Sequence, residues 1–204
     1  MKNIPLKLFI VLLIAFVSVC VVSQAVVKRV VLSKTSFQLN KSGETFSVEK
    51  YKSNNEVGIV VTTKDGRKVL DLDYMGAEEK LFTLVDKPKS IAIKDLTGDG
   101  IPEVIATAYY GPASALYVFK YNEKMKKFAP MKFIDSKDAE MNRDFMVSDM
   151  PQANGLDMTI LANNQLRSLG KIYPTKLGGK TKAGYYYFEA RKDNFKLIKT
   201  EVLK

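Results

Sequence analysis

Four oxygen-bearing side chains recur within one short segment near the middle of this chain. Asp95, Thr97 and Asp99 stand at alternate positions, and Glu103 follows after an Ile-Pro pair. The gap in the alternation falls at Ile101, whose backbone carbonyl can supply the missing oxygen. Hard divalent cations such as Ca²⁺ take six to eight oxygen ligands at about 2.3–2.6 Å. The segment therefore predicts a calcium site whose ligands are Asp95, Thr97, Asp99, the Ile101 carbonyl and Glu103.

Two glycines in the segment favour the same interpretation. Gly98 and Gly100 permit the backbone angles that a loop needs to turn alternate side chains toward one centre. The spacing differs from that of an EF-hand, in which a bidentate Glu stands at the twelfth position between two helices. Here the twelfth position is Ala106, and the flanking residues are typical of strands. A tight turn capped by its own aspartates is the alternative interpretation.

The loop sequence DLTGDGIPE, residues 95–103, resembles the D-x-[DN]-x-[DN]-G-x-x-[DE] loops of integrin-type FG-GAP and VCBS repeats. The resemblance covers residues 90–121 of the 204. In those repeats the loop lies between strands of a β-propeller blade and binds calcium. By position, the resemblance implies the same five ligands, with Thr97 as a neutral and weaker substitute for the usual Asp or Asn.

The sequence lacks the residues that several common catalytic and metal-binding sites require. The chain has no His and no Trp, and its one cysteine is Cys20. A His-activated nucleophile, a Cys/His zinc site and an intrachain disulfide are therefore excluded. The run Gly178-Gly179-Lys180-Thr181 lacks the upstream glycines of a phosphate-binding loop. A Ser–Lys dyad stays open without a local signature, and we predict no catalytic residue.

Short strands on both sides must position the acidic loop. Residues 90–94 lead into it, residues 104–109 leave it, a small-residue turn follows at 111–115, and residues 116–121 return. Residues 64–66 (Lys-Asp-Gly) predict a hairpin. Residues 76–80 are predicted as a loop or one helical turn, 135–143 as a helix or loop, and 163–182 as a loop. Further strands are predicted at 26–32, 46–49, 57–63, 68–73, 81–85, 127–134, 145–147, 158–162, 184–190 and 195–203.

Weaker echoes of the loop suggest repeated units. Residues 149–157, DMPQANGLD, carry an acid at each end, and residues 48–60 contain another polar link between two strand-like runs. Recurrence at about 40–50 residues is typical of four-stranded propeller blades, and a closed propeller needs at least four of them. We predict an all-β fold, an incomplete or compact β-propeller-like stack of antiparallel meanders, after an N-terminal signal or anchor helix.

Residues 1–25 have the features of an export signal. Lys2 and Lys7 precede an apolar run, and Ser23-Gln24-Ala25 places small residues before a cleavage point. An uncleaved membrane anchor over residues 8–27 is the alternative, because about 20 apolar residues span a bilayer. Lipidation at Cys20 is disfavoured by Val19. Both main interpretations place a single β domain, residues 26–204, outside the cytoplasm, in the periplasm or beyond the cell.

The charge balance bears on the partner. The chain carries 32 basic and 22 acidic residues, a net charge of +10. Such a bias attracts anionic surfaces, but the basic residues are scattered and form no arm typical of nucleic-acid binding. We therefore expect a protein or cell-envelope polymer as the partner, and no nucleic acid. The predicted function is an exported, calcium-binding, non-enzymatic binding module.

Two other functions stay open. Residues 98–119 also resemble small periplasmic proteins with one VCBS-like calcium loop, some of which inhibit lysozyme. That resemblance implies that the turn at Gly111-Pro112-Ala113-Ser114 enters the cleft of the enzyme. The other possibility is a cell-wall-directed hydrolase whose two carboxylates the sequence does not pair.

Overall fold

The computed structural model describes residues 29–40, 42–134, 143–173 and 179–204, which form strands and their connections without any helix. The predicted all-β class is therefore confirmed. The predicted signal or anchor, with its apolar run at 8–27, lies outside the described residues, as does most of the predicted helix or loop at 135–143. Within the described ranges we find no helix of the length and apolarity needed to cross a bilayer.

The strands are short and are numbered here in chain order. They are β1 (Val30–Gln38), β2 (Thr45–Ser53), β3 (Glu56–Thr63), β4 (Lys68–Gly76), β5 (Glu78–Glu79), β6 (Phe82–Leu84), β7 (Lys87–Lys89), β8 (Ile91–Lys94), β9 (Glu103–Tyr110), β10 (Ala113–Asn122), β11 (Lys127–Pro130), β12 (Lys132–Ile134), β13 (Met146–Ser148), β14 (Met158–Ile160), β15 (Leu166–Ile172), β16 (Lys182–Ala190) and β17 (Asn194–Val202).

These strands form three sheets. The first is a meander in the order β1-β2-β3-β4, and the second has the order β11-β10-β9-β5, with β8 paired to β9 and β13 to β10. The third has the order β12-β17-β16-β15-β14-β6-β7. Most pairs of neighbouring strands are antiparallel, as predicted, whereas the β6–β14 and β12–β17 pairs of the third sheet are parallel. The described strands form no closed propeller.

The second sheet lies between the other two and has a hydrophobic core on each face. Along β9, Val104, Ala106 and Ala108 belong to the core shared with the first sheet. Ile105, between them, belongs to the core shared with the third sheet. Successive side chains of a strand point to opposite faces, so a strand buried on both faces is an almost continuous apolar run. The apolar sequence of β9 is explained by this central position.

Tight turns with left-handed backbone angles connect several strand pairs. Asn54 and Asn55 have φ values of 50° and 62° and form the two-residue turn between β2 and β3. This turn is the polar link that the sequence showed within residues 48–60. The predicted hairpin at 64–66 is confirmed between β3 and β4. The turn between β9 and β10 contains only Gly111 and Pro112, so β10 begins earlier than predicted.

Two predicted loops contain strands. Residues 76–80 include β5, which pairs with β9 instead of forming a helical turn. Residues 163–182 include β15, which pairs with β14 and β16. Ser168 and Gly170 are buried in β15, and these small residues concealed the alternation that identifies a strand. In both segments pairing with other strands outweighed the local composition.

A buried polar cluster joins the three sheets. The Lys80 ammonium lies 2.7 Å from Asp157 Oδ1, and both side chains are fully buried. Ser114, in the second sheet, donates a hydrogen bond of 2.6 Å to Asp157 Oδ2. The carbonyl of Lys80 accepts hydrogen bonds from Thr107 of the second sheet and from the Lys50 ammonium of the first. Asp157 directly precedes β14, so the cluster reaches the third sheet as well.

Candidate metal centre

The acidic loop joins β8 to β9 in the central sheet. These two strands pair from Ile91 opposite Ala106 to Lys94 opposite Glu103, so the loop begins and ends on one antiparallel pair. Leu96 of the loop is buried in the core shared with the third sheet, and Ile101 in the core shared with the first. Apolar contacts on both faces of the central sheet therefore hold the loop in place.

The three carboxylates of the loop converge. One oxygen each of Asp95, Asp99 and Glu103 lies within 4.8 Å of the others. Glu103 is fully buried, whereas Asp95 is half-buried and Asp99 is exposed. Oxygens this close can share one cation, and calcium takes ligands of this type.

Asp95 organises the backbone of the loop. Its Oδ1 accepts a hydrogen bond from Gly98 N at 2.7 Å, and its Oδ2 accepts one from Gly100 N at 2.8 Å. The two glycines have φ values of 76° and 81°, in the region that favours glycine. The Asn164 side chain donates to the Asp95 carbonyl at 3.1 Å. Each carboxylate oxygen has a second lone pair, so these bonds leave acceptor capacity.

Glu103 lies at the bottom of the site. Its Oε2 accepts a hydrogen bond from Leu96 N at 2.7 Å, and its Oε1 accepts one from the Thr97 hydroxyl at 3.1 Å. Burial raises the pKa of Glu103 above its usual value, and these hydrogen bonds offset that effect only in part. A nearby cation would stabilise the ionised carboxylate and oppose the effect of burial.

Asp99 closes the exposed side of the site. Its Oδ1 accepts a hydrogen bond from Ile101 N at 2.9 Å, and its Oδ2 lies 2.7 Å from the Lys120 ammonium. Partial burial favours the neutral acid, but the hydrogen bonds from Lys120 and Ile101 outweigh it. The pKa of Asp99 is therefore below its usual value.

Lys120 of β10 reaches into the ligand set, and sequence reasoning missed it. Its ammonium donates to the Thr97 hydroxyl at 3.2 Å and to the Lys192 carbonyl at 2.9 Å. It also lies 3.9 Å from Glu103 Oε1. A positive charge thus already lies beside three of the predicted ligand side chains.

The length of the turn between β9 and β10 sets the strand register that could have predicted the position of Lys120. Tyr110 pairs with Ala113 across Gly111-Pro112, and the register continues to Val104 opposite Phe119. The next residues outward are Glu103 and Lys120, which places the two opposite each other. Counting outward from a two-residue turn would have predicted this neighbour, whereas the longer predicted turn concealed it.

The other acidic echo has a structural role. Residues 149–157 connect β13 of the second sheet to β14 of the third, instead of two strands of one sheet. Asp149 Oδ1 accepts a hydrogen bond from Lys171 N at 2.9 Å, and Asp157 pairs with Lys80. The resemblance to the acidic loop therefore does not extend to a second convergence of carboxylates among the described residues.

Comparison with known proteins leaves the site to be interpreted from its own geometry. Searches of protein-family models, of curated proteins and of solved structures found no significant match to this chain. The FG-GAP and VCBS resemblance therefore depends on residues 90–121 alone.

Proposed function

We propose that this chain is an exported, calcium-binding β module that acts by binding a protein or cell-envelope polymer, without catalysis. The carrying observation is the convergence of Asp95, Asp99 and Glu103 oxygens within 4.8 Å on a loop held by both hydrophobic cores. The Thr97 hydroxyl lies beside Glu103. With the proposed Ile101 carbonyl these groups supply five ligands, and water completes the shell that calcium requires.

Lys120 sets a condition on calcium binding. A divalent ion and an ammonium about 4 Å apart repel by roughly 8 kcal/mol at an effective dielectric constant of about 20. The lysine side chain must therefore withdraw when calcium binds, and it then gives up its contacts with Asp99 and Thr97. This competition predicts modest affinity, of the kind found in extracellular modules that bind calcium at about 10⁻⁴–10⁻³ M.

The arrangement of the sheets supports a compact propeller-like stack as the finer description of the fold. Three sheets pack face to face with two separate cores, and the acidic loop lies at one end of the central sheet. In this proposal calcium fixes the β8–β9 connection, and the remaining sheets need no ion.

An exposed aromatic surface next to the β9–β10 turn is the proposed contact region. Tyr74 and Tyr110 are 43% and 45% exposed, and their rings lie 6.1 Å apart. Phe145 lies 5.5 Å from the Tyr110 ring. Exposed tyrosines are frequent at interfaces, where they combine apolar area with a hydroxyl group.

The same region favours lysozyme inhibition as a second candidate function. The Gly111-Pro112 turn projects beside Tyr110, whereas Ser114 is fully buried and bonded to Asp157. Only Gly111, Pro112 and Ala113 are thus available to enter an enzyme cleft. Precipitation with a panel of muramidases, using the Tyr74→Ala/Tyr110→Ala variant for comparison, tests this function. Met125→Ala is the control, because Met125 is 60% exposed elsewhere.

Calorimetric titration with calcium tests the proposed ion site. We expect one ion per chain, and a loss of affinity of tenfold or more in Asp95→Asn and in Glu103→Gln. Asp71→Asn is the matched control, because Asp71 is an exposed acid whose partner is Lys68 on the same strand. Undetectable binding by the unmodified chain, or equal affinity in all three variants, would contradict the proposal.

A further inference from the structure

A separate cleft lies at the seam between the second and third sheets. Its volume is about 330 Å³, within the range of about 300–1,000 Å³ that is usual for small-molecule sites. β13 and the residues beside it contribute one wall, and β12, β15, β16 and β17 contribute the others. The lining includes five aromatic rings, those of Phe133, Phe145, Tyr173, Tyr186 and Phe188.

The positive side chains at this cleft lack carboxylate partners among the described residues. Arg143 and Lys171 both line the cleft, and neither has an ion pair within the described ranges. The other arginines are engaged, because three pair with glutamates and the guanidinium of Arg167 lies 4.4 Å from the Tyr185 ring centroid. An arginine is well suited to a planar acidic group, which it binds through two parallel hydrogen bonds.

Among the described residues of the lining, the one carboxylate has a structural role. Asp149 Oδ1 accepts the Lys171 N–H at 2.9 Å, which joins the β13–β14 connection to β15. With two cations against one carboxylate, the described part of the lining is positive overall. An anionic group is therefore the complementary charge.

Gly170 keeps the cleft open. A Cβ at this position would lie 3.1 Å from Asp149 Oδ1 and 3.2 Å from the Tyr186 ring, so a side chain would occupy the space between them. The Tyr186 hydroxyl donates to the Lys171 carbonyl at 2.7 Å, which fixes that ring along one wall. Gly170 lies in regular β structure without a positive φ. Glycine is therefore needed here for its small size and not for its backbone conformation.

We propose that this cleft binds a small aromatic molecule that carries one acidic group. The apolar body packs against the rings of the lining, and the acidic group binds the Arg143 guanidinium with support from Lys171. Aromatic walls give area and ring-stacking contacts, and the two cations, which have no carboxylate partner among the described residues, select the charge. This site is distinct from the acidic loop and does not depend on calcium.

Two fluorescent probes of similar size test the proposal. One is 8-anilinonaphthalene-1-sulfonate, an aromatic anion, and the other is N-phenyl-1-naphthylamine, its neutral counterpart. We expect saturable binding of the anion at one site per chain. The Arg143→Gln/Lys171→Gln variant should lower the affinity for the anion at least tenfold and that for the neutral probe less than twofold. Arg191→Gln/Lys192→Gln removes the same two charges at an exposed turn and should change neither.

A space-filling variant tests the position of the site. Gly170→Val should lower the binding of both probes at least tenfold, with thermal unfolding as the check that the variant is folded. If Gly170→Val does not fold, the Arg143→Gln/Lys171→Gln variant still tests the proposal. Equal binding of the anion by the charge variant and the unmodified chain, or a signal that never saturates, would overturn the proposal.

Discussion

At the scale of single residues, Lys120 matters most for the proposed ion site. Its ammonium lies 2.7 Å from Asp99 and 3.2 Å from the Thr97 hydroxyl. Without a metal ion, a lysine ammonium therefore already contacts part of the ligand set. The predicted ligand residues were readable from the sequence because they are local. The competing cation was not, because its position depends on the register of a hairpin whose turn is shorter than expected.

Replacing Lys120 distinguishes the effect of its ammonium from the effect of calcium. Lys120→Met should raise calcium affinity about tenfold or more, because binding no longer requires the withdrawal of an ammonium; tenfold corresponds to about 1.4 kcal/mol. In chelator the same variant should be less stable, by roughly 1–3 kcal/mol, because Asp99 loses a charged hydrogen-bond partner. Calorimetry and denaturant unfolding measure the two effects. Lys127→Met, on the neighbouring β11, controls for the lost charge, and unchanged calcium affinity in Lys120→Met would refute the competition.

Lys50 gives the buried polar cluster a dependence on pH. Burial lowers the pKa of Lys50 to about 8, and Glu79 offsets this only in part. Between about pH 8 and 10.5 the unfolded chain keeps this proton while the folded chain has released it. The free energy of unfolding therefore rises with pH in this window.

Comparison with Lys50→Met isolates that contribution. From pH 7.5 to 10, the unfolding free energy of the unmodified chain should increase relative to that of the variant by on the order of 2 kcal/mol. Urea unfolding across this range measures the difference. Lys132→Met removes an exposed lysine for comparison, and a constant gap between the unmodified chain and Lys50→Met would count against this assignment.

At the scale of elements, the acidic loop was predictable and the third sheet was not. The loop follows from Asp and Gly positions within one segment, and the flanking strands β8 and β9 follow from apolar runs. The third sheet brings β6 beside β14 in parallel, although five of the six strands of the second sheet lie between them in the sequence. No local pattern specifies such a pairing, and two small buried residues in β15 hid that strand.

The glycines of the loop allow a test at this scale. Gly98→Ala should lower stability by about 1–2 kcal/mol, because alanine is strained at a φ of 76° while its Cβ would meet no neighbour. It should also weaken calcium binding, because the loop loses its preferred shape. Gly66→Ala meets the same two conditions in the β3–β4 hairpin and should lower stability without affecting calcium. Equal calcium affinity in both variants would show that the loop geometry does not matter for the ion.

At the scale of the whole molecule, the polar cluster fixes how the sheets are joined. Lys80 and Asp157 are fully buried and connect the chain before β6 with the chain before β14. Removing one partner of a buried pair leaves an uncompensated charge, whereas replacing both with apolar residues is often close to neutral. The resemblance of residues 149–157 to the acidic loop drew attention to Asp157 but did not predict its lysine, which is 77 residues away in the sequence.

A double-mutant cycle tests that role. Lys80→Met and Asp157→Leu should each lower the free energy of unfolding by about 3–5 kcal/mol, and the double variant should lose far less than their sum. Urea unfolding of the four proteins measures the coupling. Lys68→Met and Asp71→Leu form the matched exposed pair, for which the coupling should stay below about 1 kcal/mol. Additive losses at Lys80 and Asp157 would contradict the proposed link.

The most direct test of the calcium site is the thermal unfolding of the unmodified chain and Asp95→Asn, each in excess calcium and in chelator. At a calcium concentration 100 times Kd, binding adds about 2.7 kcal/mol of stability. For a domain of this size that raises Tm by roughly 5–10 °C. We predict this increment for the unmodified chain and little of it for Asp95→Asn. The same Tm in calcium and in chelator for the unmodified chain, or an undiminished increment in Asp95→Asn, would contradict the account.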